Sequence, residues 1–548
     1  MTAFSAKNRD KIIEELQANY FDILIIGGGI TGAGIALDAA SRGLKVALVE
    51  KQDFAEGTSS RSTKLVHGGL RYLKNAEFSL VREVGKERAV LYQNAPHIVY
   101  PKKMFLPIYR SNQYGLILTS LAIWVYDMLA GVSRRQRKKT ISKKKVLKQI
   151  PTLKHKGLKG AVQYYEYRTN DARLVIENLK KANEYGAISL NYCALESFLY
   201  KDNIIEGAIV KDNLNGKEFN IKAKYVVNAT GAWVDEIRKI DQAKDSEIIL
   251  PSKGVHLVVD KKKFPINDAV YFELKDKRMV FVIPTWQKVY IGTTDTVYKE
   301  SLDKVCTKQE DINYILKALH NFFDVDIQTS DIESTWAGIR PLVNQKSNSL
   351  RKVSRKEELF VDTSGLITIT GGKLTAYRLM AKQTVDKIFI FLAEKEQKEK
   401  VNCFTEKIKL AGSEFDFEIK QHLLTEYVEQ LFYQSHQLKA NTFLINQLFY
   451  TYGRNLELII EKAYDFYNEF PIEKRYLVWL AAEIWYTTEY EMTVHLSDFL
   501  IRRTEKHIFH HKEIQQYLDF IVQEMAKYLD WDKEKQEEEK NIYLQICM

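Results

Sequence analysis

Cysteine is scarce in this sequence, with four in 548 residues, at positions 193, 306, 403 and 547, and no CxxC pair among them. That spacing argues against a structural metal or a disulfide framework and for a reducing compartment, naturally the cytosol. A secretory leader is also missing, because "SAKNRDKIIEELQANY" near the start is a charged helical pattern without an apolar core. No internal repeat is visible. Neither sign of charge dominates: 81 Lys and Arg against 71 Asp and Glu give +10, compatible with an anionic ligand, a nucleic acid or an acidic membrane surface and selecting none of them. With 45% hydrophobic residues the chain is neither disordered nor a small stapled scaffold, and its length predicts two or three domains.

What is present starts at residue 21. "FDILIIGGGITGAGIALDAASRGLKVALVE" reads as an apolar strand, a glycine turn, a small-residue helix and a second strand ending in an acid, half of a doubly wound unit. Gly27 permits the tight turn, Gly29 lets backbone approach a pyrophosphate, and Gly32 lets helix and strand pack closely. The helix N-terminus offers free N–H groups and partial positive charge to phosphates. Glu50 is placed to bind ribose hydroxyls and disfavours a 2′-phosphate. A lone glycine triplet is weak evidence, but here strand, turn, helix, strand and acid arrive in order.

Two remote segments choose FAD over NAD. "VVNATGAW", with Ala229 and Gly231, is an apolar strand ending in small residues; "ITGGKLTAYRLMAKQ", with Gly371, Gly372, Leu374 and Thr375, is a strand, a glycine turn and a helix start. Taken alone, the second is a surface turn. A bare Rossmann half needs no second glycine turn so far along the chain, whereas an extended flavin needs its isoalloxazine end held by another helix N-terminus, where dipole and backbone donors stabilise the charge developing on reduction.

Several blocks then carry a family resemblance: "GTSSRSTKLVHGGLRYL", "NATGAWV", "FVIPTWQKVYIGTTD", "AGIRPL" and "GGKLTAYR". From Phe21 to about Leu392 the chain resembles the FAD-dependent glycerol-3-phosphate dehydrogenases of bacteria and mitochondria, and the final helical segment is consistent with that family's C-terminal domain. The resemblance implies that Thr58, Ser59 and Ser60 reach the flavin and its phosphates. It makes Arg71 and Arg340 a clamp for the substrate phosphate, with Arg355 and Lys373 as further cations and Tyr72 as a neighbouring hydroxyl; a forked guanidinium suits a phosphate dianion. The implied reaction oxidises the C2 alcohol of sn-glycerol 3-phosphate to dihydroxyacetone phosphate with hydride delivered to flavin N5. Histidine suits the required base, His256 first and His67 second, although a histidine in an apolar strand is more often a packed one. Arg340 beside the alcohol would stabilise an alkoxide.

The fold expected is α/β: a discontinuous FAD-binding Rossmann-like domain (21–95, 160–245 and 336–395), an antiparallel β substrate-binding or cap domain with a membrane-facing region (96–159 and 246–335), and a C-terminal helical domain (400–530). A helix over 1–20 precedes them, and a solvated or frayed tail (531–548) follows.

One apolar stretch, "GLILTSLAIWVYDMLAGV" from Gly115 to Val132, is just long enough to cross a bilayer. A crossing would separate segments that must meet at one flavin, and Asp127 adds about 2.5 to 3.5 kcal/mol to insertion. The basic run "SRRQRKKTISKKKVLK" follows, with no acid in it. By pattern, an in-plane membrane helix beside a basic patch and a buried helix beside a solvated loop are equal readings. The resemblance implies the first: a cytoplasmic protein peripherally attached to the anionic inner face of the cell membrane, passing electrons to a quinone. A nucleic-acid partner is not expected, since the run lacks aromatics for base stacking. The rivals are an oxidase using oxygen, an amine-oxidising or RNA-modifying flavoprotein, and a non-catalytic flavin binder. Oxidases of the family carry an insertion before the C-terminal region, for which the interval from Arg340 to Lys373 leaves little room. The C-terminal helices brace the site or form a homodimer face.

Overall fold

The strand Tyr20–Ile26 is buried almost along its whole length and forms the middle of the first sheet, as a near-continuous apolar run predicts. It pairs in parallel with Val46–Val49 on one side and Glu218–Asn228 on the other, and the sheet continues to Ile188–Leu190 and to Ile367–Gly371. The helix Ile30–Ser41 packs on it, with Gly34 against Tyr377 of the helix Tyr377–Glu396. This computed structural model describes residues 4–68, 77–112, 114–241, 247–274, 276, 278–344 and 357–546. Arg71, Tyr72 and Arg355, expected at the substrate, lie outside these residues.

The second sheet is mostly antiparallel and has its own apolar core. Its spine is Ile249–Asp260, flanked by Lys288–Gly292 and by Ile332–Val343. Boundaries differ from those expected, and the short strand Leu65–Val66, expected in the nucleotide-binding domain, also pairs in this sheet. The strands Leu158–Arg168 and Ile332–Val343 belong to this sheet, not to the nucleotide-binding one. Each is committed by pairing over nearly its full length with a strand of the second sheet, a long-range constraint that local periodicity does not carry.

Helices from Gln421 onward form a third unit with its own cores. It is tied to the first sheet's loops by buried charge: Arg502 and Arg503 meet Asp53 at 2.5 and 2.7 Å. Burial opposes ionisation of Asp53, but the two guanidiniums outweigh it and hold the carboxyl well below the usual range. The tail is not frayed. Lys533–Leu544 is a helix capped by Asp532, with Tyr543 buried and Glu539 against His495 at 2.6 Å. Cys193 and Cys403 are free thiols.

The apolar stretch is the helix Leu116–Leu129, and among the described residues no helix is long and apolar enough to cross a membrane. Its faces are sharply divided. Ser120, Ile123, Tyr126 and Asp127 are buried, with Asp127 accepting the Lys138 backbone N–H; Ile117, Leu118, Leu121, Trp124 and Met128 are exposed, Ile117 at 87%. In the basic run, Arg134, Arg135, Arg137, Lys139, Lys143, Lys144, Lys145 and Lys148 are exposed.

Candidate active site

Between the two sheets lies a cavity of about 410 Å³. Its first end is built from backbone. Gly27 has φ +112°, and a Cβ there would lie 2.8 Å from the Ala229 carbonyl oxygen; a Cβ on Gly32 would lie 1.9 Å from the Gly27 oxygen. Gly27, Gly29 and Thr31 line the cavity at the start of the helix Ile30–Ser41, whose N-cap Gly29 provides no side chain of its own. Glu50 lines it too, its carboxylate held by the Gly28 N–H at 2.7 Å and the Gln52 N–H at 3.0 Å. Burial pushes the Glu50 carboxyl up against those two donors. Opposite, Ala229 and Gly231 close the wall; Gly231 has φ +61° and only open space where a Cβ would project. Donors at a helix N-terminus, a carboxylate at the end of the second strand and a cradle without side chains fit an extended dinucleotide.

The far end is built from side chains. Gly371, Gly372, Lys373, Leu374 and Thr375 line the cavity where the strand Ile367–Gly371 turns into the helix Tyr377–Glu396; both glycines have positive φ. Thr375 donates from Oγ1 to the His67 carbonyl at 3.2 Å, and His67 is itself on the wall. Facing them are His256 on Ile249–Asp260 and Arg340 on Ile332–Val343. Two glycines make room for these side chains. A Cβ on Gly254 would lie 2.3 Å from Arg340 Nη2, and one on Gly292, opposite His256 in the register, 2.2 Å from His256 Cδ2. The Arg340 guanidinium therefore overlies the strand two residues from His256, on the same face.

His256 is buried, stacked on Trp336 at 4.5 Å and 9°, with Nε2 3.0 Å from Thr63 Oγ1. Its Nδ1 is buried with no hydrogen-bond partner among the described residues. Burial first, then Arg340 and Lys64, push the imidazole well below its ordinary value, so it is neutral at pH 7. Arg340 donates to the Thr294 carbonyl at 3.2 Å and Thr293 Oγ1 at 2.9 Å, and faces Asp295 at 3.4 Å; its side chain stays 27% exposed. An oriented neutral imidazole beside a guanidinium can take a hydroxyl proton and hold an anion.

The hydroxyl-rich loop divides its duties. Thr58 and Ser59 line the cavity, but their hydroxyls serve the protein: Thr58 donates to the Ile339 carbonyl at 2.6 Å, and Ser59 accepts the Ile30 N–H at 3.0 Å. Ser60 is buried and is not on the cavity wall; its carbonyl accepts Lys64 Nζ at 3.1 Å. Gly32 likewise packs behind the wall. Thr63, Trp336, Gly254 and Gly292 were not singled out from sequence. The two glycines were the available signal, since a glycine inside an apolar strand marks a close approach; Thr63 and Trp336 gave none.

Comparisons with known proteins show the family. The family of FAD dependent oxidoreductases matches residues 22–378, and the C-terminal domain of alpha-glycerophosphate oxidase matches residues 403–536. The aerobic glycerol-3-phosphate dehydrogenase of Staphylococcus haemolyticus is 44% identical over 98% of this chain and 96% of its own. That of Bacillus subtilis is 42% identical over 97% and 95%. The X-ray structure of the glycerol-3-phosphate dehydrogenase from Bacillus halodurans complexed with FAD superposes with a TM-score of 0.83 at 37% identity, covering 99% of this chain and 97% of that one.

Proposed function

The chain belongs to the FAD-dependent aerobic glycerol-3-phosphate dehydrogenases, and from that premise we propose that its cavity oxidises C2 of sn-glycerol 3-phosphate by hydride loss, with His256 as base and Arg340 as anion holder. The carrying observation is the placement of His256 and Arg340 on one face of adjoining strands, across the cavity from the glycine turn at 371–372. FAD, when bound, would supply the two-electron oxidant that accepts the C2 hydride. The helix start after Gly29, Glu50 and the Ala229–Gly231 wall would hold its dinucleotide part, and Gly371 to Thr375 its ring end.

His256 takes the C2 hydroxyl proton as the carbonyl forms. Its neutral state makes that transfer available at pH 7, and its stacking on Trp336 fixes the ring plane. Arg340, braced by Thr293, Thr294 and Asp295, aims its charge at the substrate without swinging. Lys373 adds positive charge from the opposite wall, as a phosphate dianion requires. His67, whose backbone Thr375 holds, is the second candidate for the base.

Electrons then leave to a quinone, and the exposed apolar face of Leu116–Leu129 beside eight exposed cations supports docking at an anionic membrane surface on the cytoplasmic side. The C-terminal match bears the name of an oxidase, so the acceptor is where the test is aimed. Anaerobic holoprotein mixed with sn-glycerol 3-phosphate bleaches its flavin and recolours on adding a short-chain quinone. Peroxide formed in step with substrate consumed, with no response to quinone, would overturn the quinone assignment; bleaching by amino acids but not by sn-glycerol 3-phosphate would overturn the substrate.

A further inference from the structure

Behind His256 lies a buried charge cluster that the chemistry above does not use, and of its members only Asp171 reaches the cavity wall. Lys64 is 1% exposed and sits in the left-handed region with φ +56°. Its Nζ donates to Asp171 Oδ1 at 2.7 Å and to the Ser60 carbonyl at 3.1 Å, and lies 2.7 Å from Glu505 Oε1 as an ion pair without hydrogen-bond alignment. Asp171 opens the helix Asp171–Glu184 and accepts the Ser62 N–H at 3.0 Å. Glu505 comes from the C-terminal helical unit, in a segment anchored by Ser334 Oγ donating to the Ile508 carbonyl. A buried ammonium is retained at such a place only when paired, and here burial is outweighed by Asp171 and then Glu505, which keep Lys64 charged.

The loop that Lys64 ties shut, residues 60–64, is the collar of the base. The Ser62 carbonyl accepts Trp336 Nε1 at 3.0 Å, Thr63 Oγ1 meets His256 Nε2, and the Thr63 carbonyl accepts Tyr290 Oη at 3.2 Å. Trp336 is the ring on which His256 stacks, and Lys64 Nζ lies 5.7 Å from its centroid. We propose that Lys64 is a positioning residue for His256, and that the C-terminal unit reaches the active site through Glu505, which locks Lys64 and hence the loop that presents Thr63 to the imidazole. The inference rests on the reading of His256 as base. It gives the helical unit a part in turnover: undocking of that unit would release the collar.

The charges that bear on His256 come from several elements. Arg340 with Asp295 stands on the substrate side, His67 and Lys373 on the facing wall, Tyr290 behind, and Lys64 with Asp171 and Glu505 beyond Trp336. Removing the Lys64 cation leaves two carboxylates nearby, which favours imidazolium; removing the Glu505 anion does not.

The test uses FAD-loaded full chain and compares Lys64→Met, Glu505→Gln and His256→Asn. Lys64→Met is expected to lower kcat about 100-fold, the size of a small misplacement of a catalytic group, and to move the acid limb of kcat/KM up by about one pH unit. Glu505→Gln is expected to lower kcat about tenfold at unchanged KM, without an upward shift of that limb. Wild-type kcat and acid limb in FAD-loaded Lys64→Met would overturn the inference. If that variant does not take up FAD, unchanged kcat in Glu505→Gln overturns it instead. The underlying reading fails separately: full turnover in His256→Asn removes the base, whereas an impaired His256→Asn beside unimpaired Lys64→Met and Glu505→Gln removes only the positioning role.

Discussion

The two ends of the cavity are made from different materials. The dinucleotide end is largely backbone: a turn at Gly27, a helix start after Gly29, and a wall at Ala229 and Gly231, completed by the Glu50 carboxylate. The substrate end consists of side chains, His256 and Arg340 from neighbouring strands and Lys373 from a third segment. A backbone-built surface is sensitive to any added atom, and the charge it offers is the fixed dipole of the helix start. A side-chain-built surface is sensitive to chemistry, and its glycines at 254 and 292 matter only because they leave space for the groups that act.

Substitutions should separate the two ends by readout. The largest effect is expected from Gly32→Ala, whose Cβ would sit 1.9 Å from the Gly27 oxygen. Purified protein should carry no FAD, measured by absorbance at the flavin bands, and normal FAD content would show that the turn is not rigid. Next, His256→Asn should keep its flavin and lose about 10²- to 10⁴-fold in kcat. Loss of flavin instead would mean that the histidine serves the cofactor end.

The sequence made the first end legible because strand, turn, helix and acid are contiguous there, from Phe21 to Glu50. The substrate end was legible only in part. Arg340 is named through a family block and His256 through the need for a base, but their juxtaposition depends on pairing Ser252 with Arg340 across strands far apart in the chain. Thr63 and Trp336 carry no local signal, since a threonine in a polar loop and a tryptophan in a strand have many ordinary uses. The same limit misplaced the strands Leu158–Arg168 and Ile332–Val343 and left a frayed end open for Lys533–Leu544, whose charged residues do form a largely solvated face but whose anchoring by buried Tyr543 is a tertiary fact.

The pH dependence sharpens the contrast further. The imidazole of His256 lies well below its ordinary value, so it stays neutral as pH falls through 6.5, and kcat/KM should be flat there and decline only in more acid solution. Replacing Arg340 by alanine removes a cation that disfavours imidazolium and should move that limb to higher pH. An inflection near 6.5 in the wild type would indicate a solvated base elsewhere. The smallest effect on chemistry is expected from Trp124→Glu on the exposed face of Leu116–Leu129. Co-sedimentation with anionic vesicles should drop about tenfold or more, while turnover with a soluble dye acceptor is unchanged. Undiminished vesicle binding would remove that face from the membrane.

The most direct measurement is stopped-flow flavin reduction, without oxygen, in wild type and Arg340→Ala, each mixed with sn-glycerol 3-phosphate and with glycerol. The wild type should bleach far faster with the phosphorylated alcohol, and Arg340→Ala should need about 100-fold more of it to reach the same rate while treating glycerol as before. If Arg340→Ala bleached at the wild-type rate and concentration, no anion would be held at this wall, and the assignment of the substrate end would be wrong.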